Sequence, residues 1–270
     1  MFAFDYVRPR SLEEAVRLRR DMADGLFLAG GMTLIPVLKQ RLAMPSVLID
    51  LAGLEELRAI SAEAGRVTVG ALARHASVAD SPLIQTHLPA LARLAGSIGD
   101  PQVRNRGTIG GALANNDPVA DYPAAILGLD ASIRTDRRTI GADSFFTGLF
   151  ATALEPDELI THVEIPVPEA AAYAKFEQPA SHYALAGVMV ARAAERVRVA
   201  VTGAGPGVFR VPAMEAALAR SFTPEALDGI AIPAETLNDD LHASAAYRAH
   251  LVAVLAKRAV AAALTSEPLP

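Results

Sequence analysis

The chain of 270 residues contains no cysteine. It therefore has no disulfide, no thiolate nucleophile and no cysteine-ligated iron–sulfur cluster of its own. Its six histidines, at positions 75, 87, 162, 182, 242 and 250, do not have the spacing of a metal site. The sequence also offers no convincing catalytic acid or base. We therefore expect no metal ligands in this chain.

Long runs of one charge and long apolar runs are also missing. The net charge is −5, and the basic clusters at 17–20 and 137–138 are too short to follow a polyanion, so nucleic-acid binding is not expected. The first residues lack the basic and apolar stretches of a secretory signal, and Lys257-Arg258 interrupts the apolar C-terminal stretch. We expect a cytoplasmic protein without a membrane span.

Two glycine pairs are the most informative feature that is present. Gly30-Gly31 lies in LAGGMTLIP, and Gly110-Gly111 lies in RGTIGGALANND. Each pair follows an apolar run and precedes a helix-like segment. A glycine pair lets the backbone adopt positive φ and lets a ligand approach bare amides. Two such loops could hold the two halves of one pyrophosphate, which points to a dinucleotide.

The affinity of such loops for an anion depends on the number of hydrogen-bond donors they offer. A helix dipole contributes only about 0.3–1 kcal/mol to a nearby anion. A hydrogen bond to a charged group contributes roughly 1.5–3 kcal/mol, so four or five amides approach submicromolar affinity. Thr33 and Thr108 could add hydroxyl donors. The alternative is that each pair is a tight turn with nothing bound.

The pattern predicts a β-α-β unit in about the first 50 residues. Ser11 and Glu14 have the spacing of a capping box, which starts a helix that runs to about Arg20. Thr33 is the expected cap of the next helix. The predicted strands are 26–29 and 47–51, and the helix between them is 34–41.

Further elements follow from periodicity and turn residues. Pro166-Val167-Pro168 is a predicted boundary. The run Gly203 to Gly207 superficially resembles a dinucleotide fingerprint, but no helix follows it, so we predict a structural turn. Before the boundary, the predicted strands are 67–71, 132–135 and 159–166, and the helices are 88–98 and 121–129. After it, we predict a hairpin of 184–190 and 196–202, and helices at 213–220 and 247–264.

The two glycine segments together resemble a known family. Residues 98–130, IGDPQVRNRGTIGGALANNDPVADYPAAILGLD, resemble the FAD-binding signature of the flavoprotein subunits of molybdenum hydroxylases, such as the medium subunit of carbon monoxide dehydrogenase and the FAD domain of xanthine dehydrogenase. Residues 28–51, 154–168 and 239–260 are similar to the same family.

The resemblance covers nearly the whole chain and implies an α+β fold. The expected architecture is a two-lobed vanillyl-alcohol-oxidase/PCMH-type FAD-binding fold, followed by a small α+β domain of antiparallel sheet plus helices. The expected domains are 1–55, FAD-binding subdomain 1; 56–168, FAD-binding subdomain 2; and 169–270, the C-terminal flavoprotein domain.

Carried over by position, the resemblance also implies the binding residues. Residues 29–33 and 108–111 would enclose the FAD pyrophosphate, and the backbone near Ile160 would meet the adenine or flavin end. Asp121 would bond a sugar or ribityl hydroxyl, with a helix N-cap as the alternative. Lys175 would stabilise negative charge on the reduced ring, and Tyr183 would cover the ring; a surface lysine and a core tyrosine are the alternatives. The full expected set is Ala29, Gly30, Gly31, Met32, Thr33, Leu34, Thr108, Ile109, Gly110, Gly111, Asn115, Asp117, Asp121, Ile160, Lys175 and Tyr183.

The absence of cysteine limits which cofactors of such a complex this chain could carry. The chain would supply only the FAD end of an electron-transfer route, with molybdopterin and 2Fe-2S clusters on partner subunits. The implied partners are a small 2Fe-2S subunit and a large molybdopterin subunit in a heterotrimer, with its dimerisation left open, and an external electron acceptor. We therefore expect an oxidoreductase subunit with no catalytic residue of its own, because hydroxylation would occur on another chain.

Two other functions remain open at this point. The chain could be a free-standing FAD-dependent reductase of the enolpyruvyl sugar-nucleotide type, which needs an internal proton donor and a substrate-phosphate site. It could instead be a non-catalytic scaffold subunit with empty loops. The substrate pocket of the complex would lie on a partner chain.

Overall fold

The computed structural model describes residues 1–194 and 196–265. Its first lobe is a small parallel sheet in the order β1-β3-β2, in which every residue of the central strand is buried. The two helices of this lobe connect successive strands, so the predicted β-α-β unit is confirmed. The elements are β1 (Asp5–Val7), α1 (Leu12–Asp21), β2 (Leu26–Leu28), α2 (Leu34–Lys39) and β3 (Val47–Asp50), followed by 3-10 turns at Leu51–Gly53 and Glu55–Arg58.

The two helix starts in this lobe differ from expectation in detail. The amide of Glu14 donates to Ser11 Oγ at 3.2 Å, as a capping box requires. The Glu14 carboxylate accepts the amide of Arg10 at 2.7 Å instead of that of Ser11. Thr33 precedes α2 but makes no side-chain capping bond, so that expectation is wrong. Its backbone is already helical (φ −103°, ψ −49°), whereas a capping side chain normally acts from an extended residue.

The second lobe is a five-stranded antiparallel sheet in the order β4-β5-β10-β6-β7, with helices packed against it. A separate two-stranded hairpin, β8-β9, precedes the long central strand. The elements are β4 (Ile60–Glu63), β5 (Arg66–Gly70), α3 (His75–Asp80), α4 (Pro82–His87), α5 (Pro89–Gly96), α6 (Pro101–Arg104), α7 (Ile109–Asn115), α8 (Tyr122–Gly128), β6 (Ser132–Thr135), β7 (Thr139–Gly141), α9 (Ala142–Phe145), β8 (Phe146–Gly148), β9 (Ala151–Thr152) and β10 (Ile160–Pro166).

The C-terminal region is an antiparallel sheet in sequence order, covered by two helices. The predicted hairpin and both predicted helices are confirmed. The first strand was missed, because its run AAAYAKFE is rich in alanine, which strands disfavour. The elements are β11 (Ala170–Glu177), β12 (Ala184–Ala193), β13 (Arg196–Thr202), β14 (Phe209–Arg210), α10 (Pro212–Arg220) and α11 (Ala245–Thr265), with 3-10 turns at Pro224–Leu227 and Ala234–Thr236.

Three clusters of buried apolar side chains follow these regions. The first cluster lies in the first lobe and also takes in Leu72 and Leu159 of the second lobe. The second fills the second lobe and includes Met189 and Ala200 from the C-terminal sheet. The third lies between the C-terminal sheet and α11. The lobes are therefore packed directly against each other, which fixes the position of any cavity between them.

Candidate cofactor site

The first glycine pair forms a turn between β2 and α2 that leaves its amides open. Gly31 has φ +77°, a conformation that glycine adopts readily and other residues rarely do. Within the part of the chain that the structure describes, the amides of residues 30–34 donate to no protein acceptor. The first bonds of this helix instead run from Ile35 N to Gly31 O and from Val37 N to Thr33 O. A row of consecutive free amides is the arrangement that binds phosphate.

The second glycine pair is built differently. It lies inside the first turn of α7 and not in a loop, so the prediction of a second glycine loop with free amides is wrong. Gly110 N donates to Ala71 O at 2.9 Å, and Gly111 N donates to Thr108 Oγ1 at 3.2 Å. Thr108 is thus the N-cap of α7, and the amides of the pair are used within the protein. Ile109, another expected binding residue, has its side chain fully buried in the core.

The two glycine segments nevertheless meet. A Cβ placed on Gly30 would lie 2.1 Å from the carbonyl oxygen of Arg106, which is backbone. A Cβ on Gly111 would lie 3.7 Å from Ala29 Cβ. Thr108, which pairs with Arg74 in an isolated bridge, keeps its own amide without an acceptor among the described residues. The convergence expected from the sequence is therefore present, but most of the free donors come from the first segment.

A cavity of about 440 Å³ lies where these segments meet. This is within the range of roughly 300–1,000 Å³ typical of small-molecule sites. Its lining is mostly apolar, with Phe27, Leu51, Leu72 and Leu159 among residues that the sequence did not single out. The expected binding residues that line it are Ala29, Gly30, Gly31, Met32, Thr33, Leu34, Thr108, Gly110, Gly111, Asn115 and Ile160.

Two titratable residues at the cavity were also missed. His75 is 5% exposed, its Nδ1 has no partner in the described chain, and its ring lies 5.2 Å from that of Tyr122. Burial, with a smaller contribution from Arg104, lowers the pKa of His75 to about 4, so the ring is neutral at pH 7. Glu158 has its pKa lowered to about 2, chiefly by Arg138, and is ionised. A lone histidine and a glutamate before a strand carry no sequence signal of this placement.

Asp121 and Lys175 lie in a second polar cluster that does not line this cavity. Lys175 Nζ donates to Ser97 O at 3.0 Å and to His182 O at 3.1 Å, and lies 3.3 Å from Asp121 Oδ1. Tyr173 OH donates to the same carboxylate oxygen at 2.5 Å. Burial raises the pKa of Asp121, while Lys175 and Tyr173 oppose that shift. All the donors of Lys175 thus have protein acceptors.

The positions of Asp121, Lys175 and Tyr183 rule out three alternatives that the sequence left open. Asp121 stands at the N-cap position of α8 but makes no capping bond, so the cap interpretation is wrong. Lys175 has a side chain only 7% exposed and is not a surface lysine. Tyr183 is 47% exposed and is not a core tyrosine; burial, then Asp117 and Asp121, raise its pKa. Asp117 itself accepts the amide of Val119 at 3.1 Å.

The chain matches the family model described as the FAD binding domain in molybdopterin dehydrogenase over residues 2–168. It belongs to this family. It is 37% identical to the nicotine 6-hydroxylase medium subunit of Paenarthrobacter nicotinovorans and 37% identical to the carbon monoxide dehydrogenase medium chain of Hydrogenophaga pseudoflava, covering 96% of each chain in both cases.

A solved structure of carbon monoxide dehydrogenase from Hydrogenophaga pseudoflava is similar with a TM-score of 0.88 and 35% identity, covering 98% of each chain. The PCMH-type FAD-binding fold is thereby confirmed, as is an FAD-binding oxidoreductase subunit of the molybdenum hydroxylase class. Across the described residues, no cluster of His, Asp and Glu side chains could hold a metal ion. No helix in residues 1–194 or 196–265 has both the length and the apolar character needed to cross a membrane.

Proposed function

We propose that this chain is the FAD-carrying electron-transfer subunit of a multisubunit molybdenum hydroxylase. It would take electrons from iron–sulfur clusters on a partner subunit and pass them to an external acceptor. Family membership supports FAD, and the names of its relatives, medium subunits of hydroxylase and dehydrogenase complexes, support the assembly. FAD, when bound, supplies one- and two-electron redox chemistry that side chains lack.

The observation that carries this proposal is the row of open amides at residues 30–34, facing an apolar cavity of about 440 Å³. A diphosphate needs several hydrogen-bond donors. Consecutive backbone amides can provide them without a charged side chain. Roughly 1.5–3 kcal/mol for each charged hydrogen bond makes such a row sufficient for tight binding. The apolar lining at Phe27, Leu51 and Leu72 suits an aromatic ring system. The residues present therefore fit FAD.

We assign the parts of the cofactor accordingly. Residues 29–34, with Thr108, would hold the pyrophosphate. Ile160 would contact an aromatic end, and Asn115 and Asp117 would face sugar or ribityl hydroxyls. Asp121, Lys175 and Tyr183 would lie at the flavin end, with Lys175 and Asp121 acting as an ion pair and Tyr183 covering the ring. Gly110, Gly111 and Ile109 would act by building the helix that carries Thr108.

The partners follow from the same proposal. A small 2Fe-2S subunit and a large molybdopterin subunit would complete a cytoplasmic heterotrimer, whose dimerisation stays a prediction. The domain limits 1–55, 56–168 and 169–270 also stay predictions; residues 195 and 266–270 of the last domain lie outside the described chain. The separate core clusters support this division.

No observation favours the two rival functions. An enolpyruvyl reductase needs a proton donor, but His75 has a pKa of about 4 and is neutral at pH 7, and both oxygens of Glu158 accept bonds from the protein. A scaffold subunit would have loops that bind nothing. Metal analysis of the native complex tests the assembly: molybdenum, iron and flavin should co-purify with this chain, and a complex without molybdenum would contradict the proposal.

FAD titration of two glycine variants tests the site. Gly31→Val and Gly65→Val put the same side chain at similar φ, +77° and +74°. The Gly65 position has no atom within 4 Å of the new Cβ, whereas Gly31 lies in the cavity lining. We expect the wild type and Gly65→Val to be yellow with one FAD per chain, and Gly31→Val to lose at least about tenfold in affinity, the equivalent of one charged hydrogen bond. Stoichiometric FAD in Gly31→Val would refute the assignment of the loop.

A further inference from the structure

Glu158 is a charged side chain with no exposed surface beside the cavity. Thr135 Oγ1 and Arg138 Nε donate to its Oε1 at 2.7 and 2.8 Å. Arg138 Nη2 and the amide of Glu155 donate to its Oε2 at 2.7 and 2.9 Å. Both oxygens are therefore occupied by protein donors, and the carboxylate has no contact left for a ligand.

The bonds of Glu158 join two turns. Thr135 ends β6 and Arg138 directly precedes β7, and Glu155 begins the turn that leads to the cavity. Within that turn the amide of Glu158 donates to Glu155 O at 3.0 Å. One carboxylate thus ties the β6-β7 hairpin to the segment that enters β10.

The segment held in this way is a wall of the cavity. Leu159 and Ile160 both line it and are 7% and 4% exposed. The amide of Leu159 donates to Asp136 Oδ1 at 2.9 Å, and its carbonyl accepts the amide of Asp136 at 2.9 Å. These two bonds run to the same hairpin, so the wall and the hairpin form one unit, which lines the same cavity as residues 30–34.

We infer that Glu158 is a positioning residue for the cofactor: it fixes the wall formed by Leu159 and Ile160 without touching the ligand. This inference rests on the proposed function, because it gives Glu158 a role toward FAD in this cavity. A carboxylate suits the task, since four donors converge on it and a neutral group cannot accept all four. In Glu158→Gln the side-chain NH2 group would face a donor of Arg138 in either orientation, Nε on one side or Nη2 on the other, and the wall would shift.

Asp157 is a matched control one residue away. It is also ionised, because Arg137 and Arg20 hold its pKa well below the usual range. Its carboxylate lies 2.9 Å from Arg20 Nε and 2.9 Å from Arg137 Nη2, and it does not line the cavity. Asp157→Asn removes the same charge from the same turn, but leaves the bonds of Glu158 in place.

The experiment measures FAD dissociation from the full chain by recovery of flavin fluorescence. We expect Glu158→Gln to release FAD about tenfold faster, because the displaced wall would lose contacts with the cofactor. Asp157→Asn should stay within about twofold of the wild type, as is usual for an exposed ion pair. Arg138→Lys, which keeps the charge but loses the two-pronged contact, should fall between them and covers the case in which Glu158→Gln does not fold.

The visible circular dichroism of bound FAD separates positioning from general stability. A displaced wall changes the flavin or adenine environment, so Glu158→Gln and Arg138→Lys should alter this spectrum while Asp157→Asn should not. Equal dissociation from the wild type, Glu158→Gln and Arg138→Lys, or equal loss in Asp157→Asn, would overturn the inference and leave the proposed function intact. A wild-type chain that binds no FAD would overturn both.

Discussion

The two glycine pairs are similar in sequence but differ in what their glycines do. At the first pair, the amides of residues 30–34 are open and Gly31 has φ +77°. At the second, the amides of Gly110 and Gly111 lie in the first turn of a helix and donate to protein acceptors. Gly31 therefore allows the turn that presents the donors, whereas Gly30 and Gly110 let the backbone pack closely against Arg106 and Ala71. Both pairs thus use a glycine for packing, and within the described chain the first pair also leaves its amides free for a ligand.

The largest expected effect that tests this difference is on folding, at Gly110. A Cβ there would lie 2.6 Å from Ala71 Cβ and 2.8 Å from Ala71 O. We expect Gly110→Val to lower the free energy of unfolding by about 3 kcal/mol or more, the usual cost of severe overpacking. Urea unfolding of the apoprotein measures it.

Gly31→Val is the matched variant in the first segment. Its new Cβ would lie 3.0 Å from Ile35 Cγ1 and 3.3 Å from Leu28 Cδ1, both side-chain atoms and not backbone, and its main cost would be the positive φ. That cost is about 1–3 kcal/mol. If Gly31→Val destabilises the apoprotein as much as Gly110→Val does, the contrast between the two pairs is not real.

The next effect concerns His75, whose amide donates to Gly107 O at 3.0 Å beside the second segment. Its pKa is about 4 in the folded chain against 6.5 ordinarily, so the unfolded chain binds the proton more readily. Stability is fully present above pH 6.5 and falls as the pH drops toward 4, by about 3 kcal/mol from this group. Urea unfolding at pH 7 and pH 4.5 should show a smaller loss in His75→Gln than in the wild type. The exposed His250→Gln serves as control and should keep the wild-type loss.

The smallest expected effect separates the two threonines. Thr108 caps α7 through the Gly111 amide, whereas Thr33 makes no capping bond. Thr108→Val should therefore cost about 1 kcal/mol of stability, and Thr33→Val only a few tenths. Thermal unfolding of the two apoproteins compares them, and equal shifts would contradict the assignment of a single cap.

The sequence predicts best where local chemistry decides the structure. The β-α-β unit follows from the short apolar runs at 26–29 and 47–51, and the helix before it from the bond of Ser11 to the Glu14 amide. Gly31 needs only its own backbone conformation. The helix at Gly110-Gly111 could not be predicted in this way. Glycine is a poor helix former, and only Ala71, distant in sequence, explains why it is there.

The candidate site likewise combines features that the local sequence predicts with features that depend on tertiary contacts. The amide row at residues 30–34 is local and was expected. The four donors on Glu158 come from positions 135, 138 and 155, and their meeting depends on the packing of two turns. Lys175 was expected beside a charged ring, but its ammonium is bonded to Ser97, His182 and Asp121. Tertiary contacts of this kind leave no trace in spacing.

The contact of Gly30 with the Arg106 carbonyl has a consequence for the order of biogenesis. The backbone at Gly30 packs directly against the backbone at Arg106, so the polypeptide itself sets the shape of the binding site. A preorganised site of this kind loses little conformational entropy when its ligand binds. We therefore expect the folded apoprotein to take up FAD that is added after folding, in the absence of other subunits.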